Sequence, residues 1–204
     1  MLSPLPPELF DHIVDHLHLE YTTLKMCCLV SKSWLPRTRR HLFAHVDFCF
    51  PESIGLWMKV FPDPFNSPAH HTRTLHCIDA SVVTLMANSD TRPLVRSFRL
   101  VVAFSVYGWG GNEGFSGLVD LICSFSLLKD LRLGFLVLGG TVIGTDTWDT
   151  PSTSPKLNGS LSLEFGQIGL IIPRLLHLPG GLQFARIEVS CSIEDAGSMP
   201  DLVS

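Results

Sequence analysis

No CxxC pair occurs among the six cysteines, Cys27, Cys28, Cys49, Cys77, Cys123 and Cys191. The N-terminal stretch lacks the basic region and long apolar run of a signal peptide. Both absences point to free, mostly buried thiols in a reducing compartment. The expected location is intracellular, in the cytoplasm and/or nucleus. Long apolar runs are scarce as well. The longest, LGFLVLGGTVIG at 133–144, is too short to span a bilayer and holds four glycines. It reads as buried strand and turn, and no membrane partner is expected.

Catalytic and metal signatures are missing too. There is no HExxH. His12 and His16 stand one helical turn apart beside Asp15, but no third ligand lies near in sequence, so they read as surface histidines and no metal is expected. GWGGNEG, residues 108–114, matches neither GxxxxGK[ST] nor GxGxxG and reads as a loop. GFSGL, around Ser116, lacks the second glycine of a nucleophile elbow. No Ser/His/Asp or Cys/His set assembles from local spacing, so neither an enzyme nor a cofactor is expected. Net charge is −4, which disfavours nucleic acid as a bulk partner. The basic run Lys32, Arg37, Arg39 and Arg40 could touch phosphate from a helix-turn-helix, but Trp34 and Leu35 interrupt it and the first helix is acidic.

What the 204 residues do contain is an ordinary folding complement, 46% hydrophobic. A first helix is expected from Pro7 to about His18. Leu9, Ile13 and Leu17 repeat at i, i+4 and i+8, flanked by Phe10 and Val14, with Glu8, Asp11, His12 and Asp15 opposite. Thr22 or Thr23 can cap a second helix through Leu24, Met26, Cys27, Cys28, Leu29 and Val30. It is almost wholly apolar and should be surrounded. Ser31 or Ser33 can cap a third, with Pro36 in its first turn. Three such helices bury little area alone and call for a neighbour.

The stretch LPPELFDHIVDHL…TTLKMCCLVSKSWLPRTRRHLF resembles the F-box. Leu5-Pro6, Glu8, Leu9, Ile13 and Leu17 match its first helix; Leu24, Leu29, Val30 and Trp34 match the later elements, with Ser31 where Cys is common. The full run is especially similar to fungal F-box proteins of mushroom-type species. The resemblance implies docking on the Skp-type adaptor of a cullin–RING ubiquitin ligase. By position, Leu5, Pro6, Leu9, Ile13, Leu24, Leu29 and Val30 would form the adaptor interface or its immediate support, with Leu17 and Trp34 holding the bundle.

The expected organisation is α+β: an F-box at 1–48, a linker or irregular region at 49–70, and a leucine-rich-repeat-like region at 71–204. Phe50-Pro51, Phe61-Pro62, Asp63-Pro64 and Ser67-Pro68 suggest the linker, with one short element in SIGLWMKVF. Beyond it, TRTLHC, VRSFRL, LKDLRL, LNGSLSLEF and FARIEV carry an apolar-x-x-apolar-x-apolar motif, though TRTLHC fits only its second half. Its middle residues, Leu75, Phe98, Leu131, Leu161 and Ile187, lie 23, 33, 30 and 26 residues apart. FSGLVDLICSFS and IGLIIPRLLHL supply intervening helices. Short parallel strands alternating with helices would make an irregular α/β solenoid; a compact α/β or α+β domain with Leu-rich strands is the alternative. LPGGLQFARIEVS also resembles segments of the same fungal proteins. SIEDAGSMPDLVS is short for a cap, so truncation of the array stays open.

The expected function is a substrate-receptor subunit of an SCF-type ligase, with the repeats recruiting a protein substrate. Trp109 and Trp148, in two polar loops, are the first candidates for substrate contact. The alternatives are an F-box protein acting outside ubiquitination, a degenerate copy, or a plain interaction domain that binds no adaptor.

Overall fold

The structure, a computed structural model, describes residues 6–108, 115–136, 159–166 and 184–190. Prolines mark where several helices begin. Pro7, Pro36, Pro51 and Pro93 each stand in a first turn, where the N–H has no intrahelical partner to lose. They open α1 (Pro7–His16), α3 (Leu35–Leu42), α4 (Pro51–Val60) and α6 (Arg92–Ser97). The other described helices are α2 (Tyr21–Val30), α5 (Ala80–Met86) and α7 (Phe115–Ser124).

Residues 49–70, expected as a linker or irregular region with one short element in SIGLWMKVF, hold that element as α4 and a second regular turn after it. Pro51 starts α4, and Pro68 starts a 3-10 turn, Pro68–His71, whose Ala69 N–H donates to the Ser67 hydroxyl. Prolines here delimit elements instead of preventing them. The expected caps also differ. Glu20 precedes α2 and Trp34 precedes α3, neither with a side-chain cap bond, while the Ser31 hydroxyl accepts from the Ser33 N–H outside any helix.

Six strands, β1 (His45–Phe48), β2 (Thr74–Cys77), β3 (Ala103–Val106), β4 (Asp130–Leu136), β5 (Ser160–Gly166) and β6 (Arg186–Ser190), form one parallel sheet in chain order. The fold is mixed α/β. Val46, Leu75, Phe104, Leu131, Leu161 and Ile187 stand in register across all six strands, at steps of 29, 29, 27, 30 and 26 residues. Phe48, Cys77, Val106, Leu133, Leu163 and Val189 form a second row two residues on.

One strand assignment is corrected, and one strand was not expected. VRSFRL is not a strand: Val95 lies in α6, Phe98 follows it, and the third strand is Ala103–Val106. Leu94, Val95 and Phe98 follow helical spacing, and all three are buried. The first strand, His45–Phe48, falls inside the segment assigned to the F-box, so the sheet begins before the expected boundary at 48. Together these shifts replace intervals of 23 and 33 by a nearly even repeat.

Both rows are buried from β1 to β5, and Ile54, Val82, Met86, Leu94, Leu118 and Ile122 from the helices share that core. Each such fully buried side chain contributes about 1.5–3 kcal/mol of transfer free energy. Trp57 of α4 ties this core to the end of α3. Its ring centroid is 5.6 Å from Phe43, 5.7 Å from Phe48 and 6.0 Å from Phe98. The other face of the sheet is polar. Asp47, Arg132 and Glu188 are exposed there, and Arg132 pairs with Glu164 at 3.4 Å. Glycine is required at the entry to β5. A Cβ on Gly159 would lie 1.7 Å from the Lys129 carbonyl oxygen, so only glycine lets β5 close on β4 there.

Candidate functional site

The first three helices build a small interior and leave much of their apolar surface outside it. Val14, Leu24, Cys27 and Thr38 are buried. Thr38 donates its hydroxyl hydrogen to the Trp34 carbonyl at 2.7 Å, satisfying the one polar side chain among them. The Trp34 ring lies 5.1 Å from Phe10, joining the start of α3 to α1.

A polar clasp closes the same two helices. Arg37 Nε donates to Asp15 Oδ1 at 2.6 Å, a second guanidinium nitrogen pairs with Oδ2, and His41 Nε2 lies 2.7 Å from Oδ1. The Arg37 hydrogen bonds hold the Asp15 carboxyl well below the usual carboxylate range, against the opposing effect of burial, with His41 adding to the lowering.

Outside the interior, Leu9 (48% exposed) and Ile13 (45%) stand one turn apart on α1. On α2, Met26 (59%), Leu29 (81%) and Val30 (68%) follow at i, i+3 and i+4. Each helix thus carries an apolar stripe with no cover among the described residues. This corrects the expectation that α2 is surrounded: only the Leu24–Cys27 side is. Leu24 is 0% exposed and cannot touch a partner directly; it supports α2 from within.

Of the other residues singled out by sequence, Pro6 is exposed, and its carbonyl accepts from the Leu9 N–H at 3.1 Å. Leu17 is half-buried just past α1, and Trp34 is half-buried. Leu5, Trp109 and Trp148 lie outside the described residues. Sequence reasoning missed the exposure of Met26, whose spacing from Leu29 and Val30 carried the signal. It also missed the Asp15 clasp, which joins residues 22 and 26 apart.

His12 and His16 bring their Nε2 atoms within 3.1 Å on exposed α1, yet among the described residues no group of three His, Cys, Asp or Glu could hold a metal. Cys27, Cys28, Cys49, Cys77 and Cys123 are all free thiols, with burial pushing Cys123 up to about 11. Among the described residues no helix is long and apolar enough to cross a membrane. Comparisons with protein-family models, with curated proteins and with solved structures each returned no match.

Proposed function

We propose that the chain is a substrate-receptor subunit of an SCF-type cullin–RING ubiquitin ligase, in which an F-box formed by α1–α3 docks on the Skp-type adaptor. The observation that carries this reading is the split between inside and outside on α1 and α2. Leu9, Ile13, Leu29 and Val30, at F-box motif positions, are solvent-exposed, while Leu24 on α2 is fully buried. Large apolar side chains in such stripes cost solubility unless a partner covers them. The remainder of the chain acts as an irregular leucine-rich-repeat-like array that recruits the protein substrate. In-order parallel strands at steps of 26–30 residues support that part. The chain performs no chemistry in this role; it raises the effective concentration of substrate near the charged conjugating enzyme.

Co-purification tests the reading. The wild-type chain should capture the adaptor and, through it, cullin. Leu9→Asp or Ile13→Asp should weaken adaptor capture at least about a hundredfold, because a carboxylate buried without a partner costs several kcal/mol. Both positions are half-exposed in the free chain, so the variants should remain folded by circular dichroism. Wild-type affinity in both variants would overturn the assignment of the interface. Adaptor without cullin would point to an F-box protein working outside ubiquitination.

A further inference from the structure

A second surface, sharing no residue with the stripes on α1 and α2, gathers basic side chains around a cleft. A cleft of about 530 Å³ opens between the 64–70 segment and α6, lined by Pro64, Phe65, His70, Pro93, Arg96 and Arg99. That is room for a few side chains of a ligand. Among the described residues no acidic side chain lines it, and neither Arg96, Arg99 nor His70 forms an ion pair. Phe65 stands 84% exposed beside the two guanidinium groups.

The display is held in place from below. Asp63 accepts from the Phe65 N–H at 2.9 Å and from the Asn66 amide, so its own charge is engaged in shaping the turn. Ser67, Pro68 and Ala69 are buried, and the Trp57 indole N–H donates to the Ser67 hydroxyl at 3.1 Å. The segment is therefore anchored to the core at 67–69, with Phe65 before the anchor and His70 after it left outside. The His70 and His71 rings lie 4.0 Å apart. Burial first, and then His70, Arg40 and Arg39, push the His71 imidazole below its ordinary pKa.

We infer that this cleft docks an acidic segment of a partner protein, with carboxylates on Arg96, Arg99 and His70 and an apolar side chain against Phe65 and the two prolines. Carboxylates match the unpaired guanidinium groups in charge and fork geometry. A peptide fits better than a nucleic acid. The cleft is short and proline-walled, and the chain as a whole is acidic, with 19 Asp+Glu against 15 Lys+Arg. The inference stands apart from the adaptor reading and survives its failure.

Fluorescence anisotropy on the full chain tests it with three labelled probes. One is a short peptide of Glu and Asp around a central Phe, the second has Gln and Asn in place of the acids, and the third is a single-stranded oligonucleotide of equal charge. The acidic peptide should bind saturably, the neutral one at least about tenfold more weakly, with the difference shrinking as salt rises. Arg96→Glu with Arg99→Glu should weaken the acidic peptide by about tenfold or more. Phe65→Ala, which leaves every charge in place, should weaken it about threefold, and it carries the test alone should the double variant fail to fold. Absence of binding, equal binding of the neutral peptide, wild-type affinity in the folded variants, or tighter binding of the oligonucleotide would each overturn the inference.

Discussion

Thr72 occupies the one described place in the repeated motif where an apolar residue is replaced by a polar one. Three residues before the middle strand position stand Phe43, Thr72, Val101, Leu128 and Phe184 ahead of β1, β2, β3, β4 and β6. Thr72 is 0% exposed, and its hydroxyl has no hydrogen-bond partner among the described residues. A buried hydroxyl without a partner forfeits its hydration. Thr72→Val keeps the shape, removes that loss, and should stabilise the chain by about 1 kcal/mol in urea unfolding. A lower midpoint would mean that the hydroxyl is satisfied in solution. The same scale explains why site residues were only half legible. Leu24 and Leu29 lie on one short apolar helix, yet one is fully buried and the other 81% exposed. A sequence in which nearly every position is apolar does not say which side faces inward.

Among the elements, α1 and α3 are joined by the Asp15 clasp, whose contribution depends on pH. The Asp15 carboxyl is held well below the usual carboxylate range, by its Arg37 hydrogen bonds first and its His41 hydrogen bond after them. A group with a lowered folded-state pKa stabilises fully above its unfolded value and loses that contribution as pH falls through the folded one. Asp15→Asn should therefore cost about 1 kcal/mol at pH 7, modest because the pair is about a third exposed to solvent. The gap between variant and wild type should narrow as pH drops below about 4. Urea titrations at pH 7, 4 and 3 check this; a gap constant with pH would remove the carboxylate from the account. Elements with a single period were readable from sequence: α1, α7, and the strands at Leu75, Leu131, Leu161 and Ile187. Elements lost were those with a competing signal. Val95, Phe98 and Leu100 fit a strand motif, but Pro93 in a first turn and the Leu94–Val95–Phe98 spacing favour a helix. Phe43, Val46 and Phe48 carry the same motif and were absorbed into the segment before them.

For the whole molecule, burial is uneven. The rows of β2, β3 and β4 lie at the centre of the core, whereas α1 and α2 rest on a few buried side chains and expose the rest. Opening free energy follows that difference. Amide hydrogen exchange should be slowest in β2–β4 and faster in α1 and α2. Added adaptor should slow α1 and α2 and leave β2–β4 unchanged; uniform protection would argue against a separate docking surface.

Because each described strand pairs only with strands adjacent to it in the chain order, ladder partners are 26–30 residues apart, from the first pair to the last. No strand waits for a distant partner. Loop-closure entropy is therefore met in similar small instalments, and the order of synthesis coincides with the order of pairing. A chain leaving the ribosome can lay each new strand on an edge already in place, with Trp57 and Phe48 seated before the later strands emerge.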